Sequence, residues 1–301
     1  MRLHERILLY GCRRGGRVYR RASFTVPLQC GTRVLRVPIM HGCGLNLLNY
    51  KDERIQSVVS MCYAHGRRGY FVDIGANQGA MALNVLALGC DIPYLGFEPD
   101  LIAAHYTQEL IRVNQLRDHF ILPIALGCQN AMATLHSAGG PADVSSTLGF
   151  DLRPRQMYRD AARVAVSTAD DQLATLEKPV FLVKIDAEGW ELNVLRGMER
   201  ILRESRPPVY FEVMGYRHFI EDTYPREYFG GELSKDELNR LISNRRDNMA
   251  QLEEFWRGHG YTLSLCHQDG TLQPVDSIDP GPESEYNCGE MNFLAVNDRT
   301  V

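Results

Sequence analysis

No run in this 301-residue chain approaches the roughly 20 consecutive apolar residues that a membrane-spanning helix needs. The start, MRLHERILLYGCRRGG, has only a three-residue apolar run before its arginines and lacks the apolar region of a secretory signal. Internal repeats and low-complexity tracts are absent. The eight cysteines include no CxxC pair and no His/Cys cluster, which excludes a recognisable zinc site and argues against a disulfide scaffold. Cys62, Cys90 and Cys266 sit in apolar surroundings and read as small buried hydrophobes in a reducing, cytoplasmic compartment. Hydrophobic residues make up 45% and charged residues 23%, so disorder of the whole chain is excluded as well.

Acids are scarce at the beginning. Residues 1–36 hold nine arginines against the single acid Glu5, a net charge of +8, while the remainder carries −12 to reach the overall −4. A basic arm on an acidic body can contact phosphates, peripherally at a membrane or on nucleic acid, or it can fold back on its own acidic body. An organelle transit peptide has a similar composition. The acidic body itself gives no extended track for nucleic acid.

Residues 23–40 read as two short strands around Cys30-Gly31, and 53–65 as a helix with Ile55, Val58, Val59 and Cys62 on one face. From there apolar strands alternate with helices. The strands are YFVDI (70–74), YLGFE (94–98), FILPIAL (120–126), VFLVKID (180–186) and VYFEVM (209–214), with a short extended piece at 164–168. Helices are expected over about 78–88, from an Asp100 cap to about 117 with Ile102, Tyr106, Leu110 and Val113 inward, and over about 190–204. This alternation predicts βαβ units around a mostly parallel sheet covered on both faces. YTLSLC (261–266) and MNFLAV (291–296) follow one another without a helix and are expected to pair antiparallel. The polar stretch 216–250 reads as an insertion, and 1–52 as an arm with short strands ahead of one domain over 53–301.

The strongest local pattern is FVDIGANQGA, residues 71–80. A buried strand ends at Asp73, and Gly75 and Gly79 precede a helix whose first N–H groups are unpaired. Glu98, at the end of the next strand, is placed to accept hydrogen bonds from ribose hydroxyls. The dinucleotide pattern GxGxxG is not met, because Gly75 and Gly79 are spaced GxxxG. Asp73 adds negative charge that suits a cationic nucleoside such as S-adenosylmethionine better than a pyrophosphate. A ligand-free turn, in which Gly79 merely allows close packing, is the plain structural alternative.

FVDIGANQGA, GFEPD (96–100), VKIDAEGWELNVLRG (183–197) and FE (211–212) together resemble the FkbM-type S-adenosylmethionine-dependent methyltransferases, over about residues 53–213. The resemblance implies an α/β class I methyltransferase (Rossmann-like) fold, a seven-stranded sheet with an antiparallel C-terminal pair. It implies a cofactor site at Asp73, Gly75, Ala76, Asn77, Gly79, Glu98, Pro99 and Ala125, and an acceptor that is a sugar hydroxyl of a glycan or glycosylated metabolite.

Within VFLVKIDAEGWE, Lys184 and Asp186 lie on one strand face beside the crevice, and a lysine in an apolar run needs an acidic partner. Asp186 is the candidate general base, assisted by Lys184, Glu188 or Glu212. Alternatively Asp186 holds magnesium with Glu212 and Asp170, as in related sugar methyltransferases. Glu191 reads as a helix-opening structural acid, and either Asp170 or Asp171 as a cap. Ser145, Ser146 and Thr147 are candidate acceptor contacts on a loop that could equally be plain surface. His218 is a further base or ligand candidate near Glu212. The aromatic run Tyr210, Phe211, Tyr216, Phe219, Tyr224, Tyr228 and Phe229 suits either sugar stacking or a small core. Two rival readings remain: an NAD-dependent oxidoreductase, and a non-catalytic module binding anionic lipid or RNA through the arm.

Overall fold

The computed structural model describes residues 23–49, 51–139, 142–149, 151–215, 233–279 and 290–297. The basic arm through residue 22, His218 and most of the aromatic run lie outside the described residues.

A hairpin of β1 (Ser23–Cys30) and β2 (Arg33–Met40) comes first, and α1 (Glu53–Ala64) follows it. Then come β3 (Tyr70–Ile74), α2 (Ala80–Ala87), β4 (Tyr94–Phe97), α3 (Leu101–Val113) and β5 (His119–Leu122). β6 (Ala125–Leu126), β7 (Ala131–Ser137) and β8 (Asp160–Ser167) make a separate three-stranded sheet. After α4 (Ala169–Leu173), β9 (Val180–Ile185), α5 (Glu191–Arg196), α6 (Glu199–Glu204) and β10 (Val209–Met214), α7 (Lys235–Gly258) leads to β11 (Tyr261–Cys266), β12 (Leu272–Val275) and β13 (Glu290–Asn297).

The main sheet has eight strands in the order β12-β11-β13-β10-β9-β3-β4-β5. β10, β9, β3, β4 and β5 run parallel, and β13 pairs antiparallel with both β10 and β11. This is the expected class I methyltransferase architecture with one strand more: β12 pairs with β11 at the edge. Its sequence, LQPV, is half-exposed and lacks an apolar run, so periodicity gives no signal for it. The chain winds from β3 outward to β5 on one side and from β9 to β10 on the other. The winding direction thus reverses between β3 and β9, where a doubly wound sheet opens a ligand crevice at its carboxyl ends.

Three local expectations are corrected. FILPIAL divides into β5 and β6 in different sheets, because Pro123 has no N–H to continue the ladder. The expected helix 190–204 is two helices, the second capped by Asp170, which accepts from Arg200 N at 2.9 Å and Ile201 N at 3.0 Å. In α3 the buried face is Ala103, Tyr106, Leu110 and Ile111, while Ile102 is 51% exposed. First-turn side chains lean toward the helix N-terminus, which carries Ile102 past the packed surface.

The latter part of the expected insertion is α7, a 24-residue helix that packs on the sheet through Met249, Leu252 and Trp256. Trp256 lies 5.2 Å from Phe211 and 5.1 Å from Tyr261, ring centre to ring centre. Cys62 and Cys266 are buried free thiols, pushed up to about 11 and about 12 by desolvation, and Cys90 is half-buried. Among the described residues no helix is long and apolar enough to cross a membrane.

Candidate active site

A cavity of about 420 Å³ opens at the carboxyl ends of β3 and β9, within the ~300–1,000 Å³ usual for ligand sites. Its floor is the turn from β3 to α2. Gly75 has φ 77°, and a Cβ there would stand 1.8 Å from the Asp186 carbonyl oxygen. The glycine is therefore required by the contact between the two strand ends, whatever binds above it. Gly79, also at φ 77°, does not line the cavity. A Cβ on it would press on Thr107 of α3 at 3.1 Å, so it serves helix packing.

Asn77 lies between them at φ 44°, a region asparagine tolerates better than most residues. Its N–H donates to Glu98 Oε2 at 2.8 Å, and its carbonyl accepts from Thr107 Oγ1 at 2.7 Å. Glu98 Oε1 accepts from Asp100 N at 2.8 Å. Burial pushes the Glu98 carboxyl up to about 7, against the pull of these two N–H groups. Glu98, Pro99, Ala125, Gly75, Ala76 and Asn77 all line the cavity. Asp73 does not. It is fully buried beneath the floor, where it accepts from Tyr94 OH at 2.7 Å and pairs with Lys184 Nζ at 3.2 Å. Burial pushes the Asp73 carboxyl up, and the Lys184 ammonium and Tyr94 hydroxyl pull it back.

Lys184 is the hub of this region. It is 3% exposed, donates to the Gly75 carbonyl at 2.8 Å and reaches Asp186 at 3.3 Å. Asp186 lies at the end of β9 with its side chain 30% exposed into the cavity. The next turn is held by its own acid: Glu191 Oε1 accepts from Ala187 N and Gly189 N, both at 3.0 Å. Glu191 is buried, which pushes it up to about 6, and its carboxylate is used within the turn.

Glu188 has φ 55° and lines the cavity, but its carboxylate is ion-paired with buried Arg153. The loop 142–149 is pinned: His136 and Thr147 exchange backbone hydrogen bonds, and Thr147 Oγ1 donates to the Glu188 carbonyl at 2.8 Å. Ser146 and Thr147 line the cavity; Ser145 instead donates to Asp143.

Asp186 and Glu212 both line the cavity, but Asp170 is occupied in capping α6 and is not there. The expected magnesium trio therefore does not assemble. Among the described residues no three His, Cys, Asp or Glu side chains converge as a metal cage. The cavity also carries groups that sequence reasoning did not select: Asp52 with Arg54, Trp190, Tyr210 as a polar rather than stacking group, and Asn292. The only available signal was a polar residue breaking an apolar strand, as Asn292 does in MNFLAV.

A family model described as the methyltransferase FkbM domain matches residues 73–263, more than half of the chain. Among solved structures, the chain is similar to the methyltransferase FkbM of Methylobacillus flagellatus KT, at 14% identity and a TM-score of 0.40. That alignment covers 76% of this chain and 43% of the other, so this chain spans under half of that protein's length. It is also similar to the plantazolicin methyltransferase BpumL in complex with a triazolic desmethylPZN analog and SAH. There the identity is 11%, the TM-score 0.44, and the coverage 81% of this chain and 84% of the other. A third similar structure is the precorrin-6y C5,15-methyltransferase of Geobacter metallireducens GS-15, at 10% identity, a TM-score of 0.35, and coverage of 80% and 89%. No curated protein matches the chain.

Proposed function

We propose that this chain, which belongs to the FkbM methyltransferase family, transfers a methyl group from S-adenosylmethionine to a hydroxyl oxygen, that of a sugar in a glycan or glycosylated metabolite. The observation that carries the reading is the cavity with Glu98 at one end and Asp186 near its middle, at the switch point of the sheet. An NAD-dependent oxidoreductase accounts for neither the GxxxG turn nor the family match.

The residues present fit the cofactor. Glu98 is held by Asn77 N and Asp100 N with its carboxylate facing the cavity, where it can accept from ribose hydroxyls. The walls at Pro99 and Ala125 are apolar, suited to a base. The Glu98 and Asp186 carboxylates that line the cavity suit a cationic ligand. When bound, S-adenosylmethionine supplies a methyl group on a positively charged sulfur.

Asp186 acts as general base and takes the proton of the acceptor hydroxyl. Lys184 positions that carboxylate from below while pairing with Asp73, so one buried ammonium fixes both strand ends. Glu188 is a positioning residue: its pairing with Arg153 and its carbonyl bond to Thr147 tie the loop 142–149 to the turn after β9. The main rate contribution is alignment of donor and acceptor. The basic arm is left for peripheral contact with anionic lipid.

The test is calorimetric titration of S-adenosylmethionine and NAD, followed by methyl transfer to a panel of glycosides by wild type and Asp186→Asn. Binding of S-adenosylmethionine alone, with transfer reduced roughly 10²–10⁴-fold in the variant and cofactor affinity kept, is expected for a lost general base. Equal transfer by both proteins would exclude Asp186 as the base.

A further inference from the structure

Among the described residues, four that line the cavity carry a buried polar atom with no hydrogen-bond partner: Ser146 Oγ, Trp190 Nε1, Tyr210 OH and Asn292 Nδ2. Buried donors are rarely left unmatched, because each forfeits its bonds to water. Two of the four lie close together. Tyr210 and Glu212 are two residues apart on β10 and so share a face, and Asn292 on β13 stands opposite Glu212 in register. Tyr210 is 2% exposed and Asn292 4%. On the other side of β10, Tyr210 pairs in register with Lys184, and Asp186 follows two residues later. The unmatched donors are therefore one or two strand spacings from the proposed base, each about 4.8 Å, the scale of a sugar ring.

Charge narrows what this end can take. The two donors stand beside carboxylates that line the same cavity, Asp52, Asp186 and Glu212, of which Asp52 pairs with Arg54 and Asp186 with Lys184. Asp52 already holds Arg54 through bonds of 2.9 and 3.1 Å. An anionic group would lie beside these carboxylates, and a cation would leave two donors unmatched. A neutral hydroxyl meets both demands: it accepts from Tyr210 or Asn292 and donates to Glu212. Burial and the nearby Asp52 push the Tyr210 phenol far up, so it remains a donor.

We infer that Tyr210, Asn292 and Glu212 form a recognition subsite for a neutral, hydroxyl-bearing part of the methyl acceptor, binding a hydroxyl other than the one methylated. The inference rests on the methyl-transfer reading and adds the residues that select the acceptor.

The test uses the full chain saturated with S-adenosylhomocysteine and titrated with methyl glucoside, methyl galactoside, methyl mannoside, glucuronate and glucosamine. At least one neutral glycoside binds, and more tightly than either charged sugar. Tyr210→Phe and Asn292→Leu each weaken it roughly 3–10-fold, the worth of one neutral hydrogen bond. Affinity for S-adenosylhomocysteine is unchanged, and Tyr210→Phe melts no lower than wild type, since it removes an unmatched hydroxyl. Unchanged glycoside affinity in both variants overturns the subsite. So does preference for a charged sugar, or no neutral glycoside binding to protein that binds S-adenosylhomocysteine. Failure to bind S-adenosylhomocysteine itself overturns the methyl-transfer reading, and the subsite with it.

Discussion

At the Glu98 end of the cavity the protein has already satisfied its own polar groups: both carboxylate oxygens accept backbone N–H groups, and Asn77 is held by Glu98 and Thr107. At the Tyr210 end, the phenol hydroxyl and the Asn292 amide nitrogen are buried with no hydrogen-bond partner among the described residues. The first end is rigid before anything binds and uses the spare lone pairs of an immobile carboxylate. The second is complete only with a ligand in place. A site that accepts one invariant nucleoside benefits from preorganisation. A site that must tell acceptors apart gains more from donors that only the right partner can satisfy, because a wrong partner leaves them unpaired.

The largest effect should come from the residue that joins the two ends. Lys184→Met strips the counter-charge from buried Asp73 and from Asp186 together. Breaking a buried pair in this way costs about 3–5 kcal/mol. Chemical denaturation should show a loss of that size, with both ends failing at once. A variant of near wild-type stability would mean that Asp73 is carried by Tyr94 alone and that the ends are independent.

Glu98→Gln bears on the preorganised end only. The Glu98 carboxyl titrates near 7, above its ordinary 4.5. The folded protein therefore holds this proton more tightly than the unfolded chain, and stability attributable to Glu98 falls as pH rises from about 4.5 to about 7. Glu191, at about 6, adds to the lower part of that window. Ribose hydroxyls donate best to the ionised form, so S-adenosylmethionine affinity should be full above about pH 7 and weaken below it. In Glu98→Gln the affinity should drop roughly tenfold and lose that dependence, read by titration from pH 5.5 to 8.5. An unchanged pH profile would move ribose recognition elsewhere.

The smallest effect is expected at the wall between the ends. Thr147→Val removes the bond to the Glu188 carbonyl and should cost about 0.5–1.5 kcal/mol of stability. It should raise the KM of the acceptor more than that of the cofactor. Equal changes in both would show that this loop covers the two ends alike.

The alternation of apolar strands with helices was enough to fix the fold class, because a strand buried on both faces must be apolar almost throughout, as VFLVKI is apart from the ion-paired Lys184. Asp186 and Glu98 were legible for a related reason: each is a charge at the end of such a strand, where nothing but a crevice or a partner can accommodate it. The sequence could not show that Asp73 faces down to Lys184 and Tyr94 rather than up to a ligand, since both directions end the same strand. Nor could it show that Asp170 caps α6, which depends on where a helix 30 residues away comes to lie. Tyr210 and Asn292 are 82 positions apart in the chain and meet only because β13 inserts antiparallel between β10 and β11. Local patterning thus determined which segments are buried and where the winding opens. Which polar atoms end up matched, and which are left for a ligand, was decided by strand order and register, through contacts that no short stretch of sequence contains.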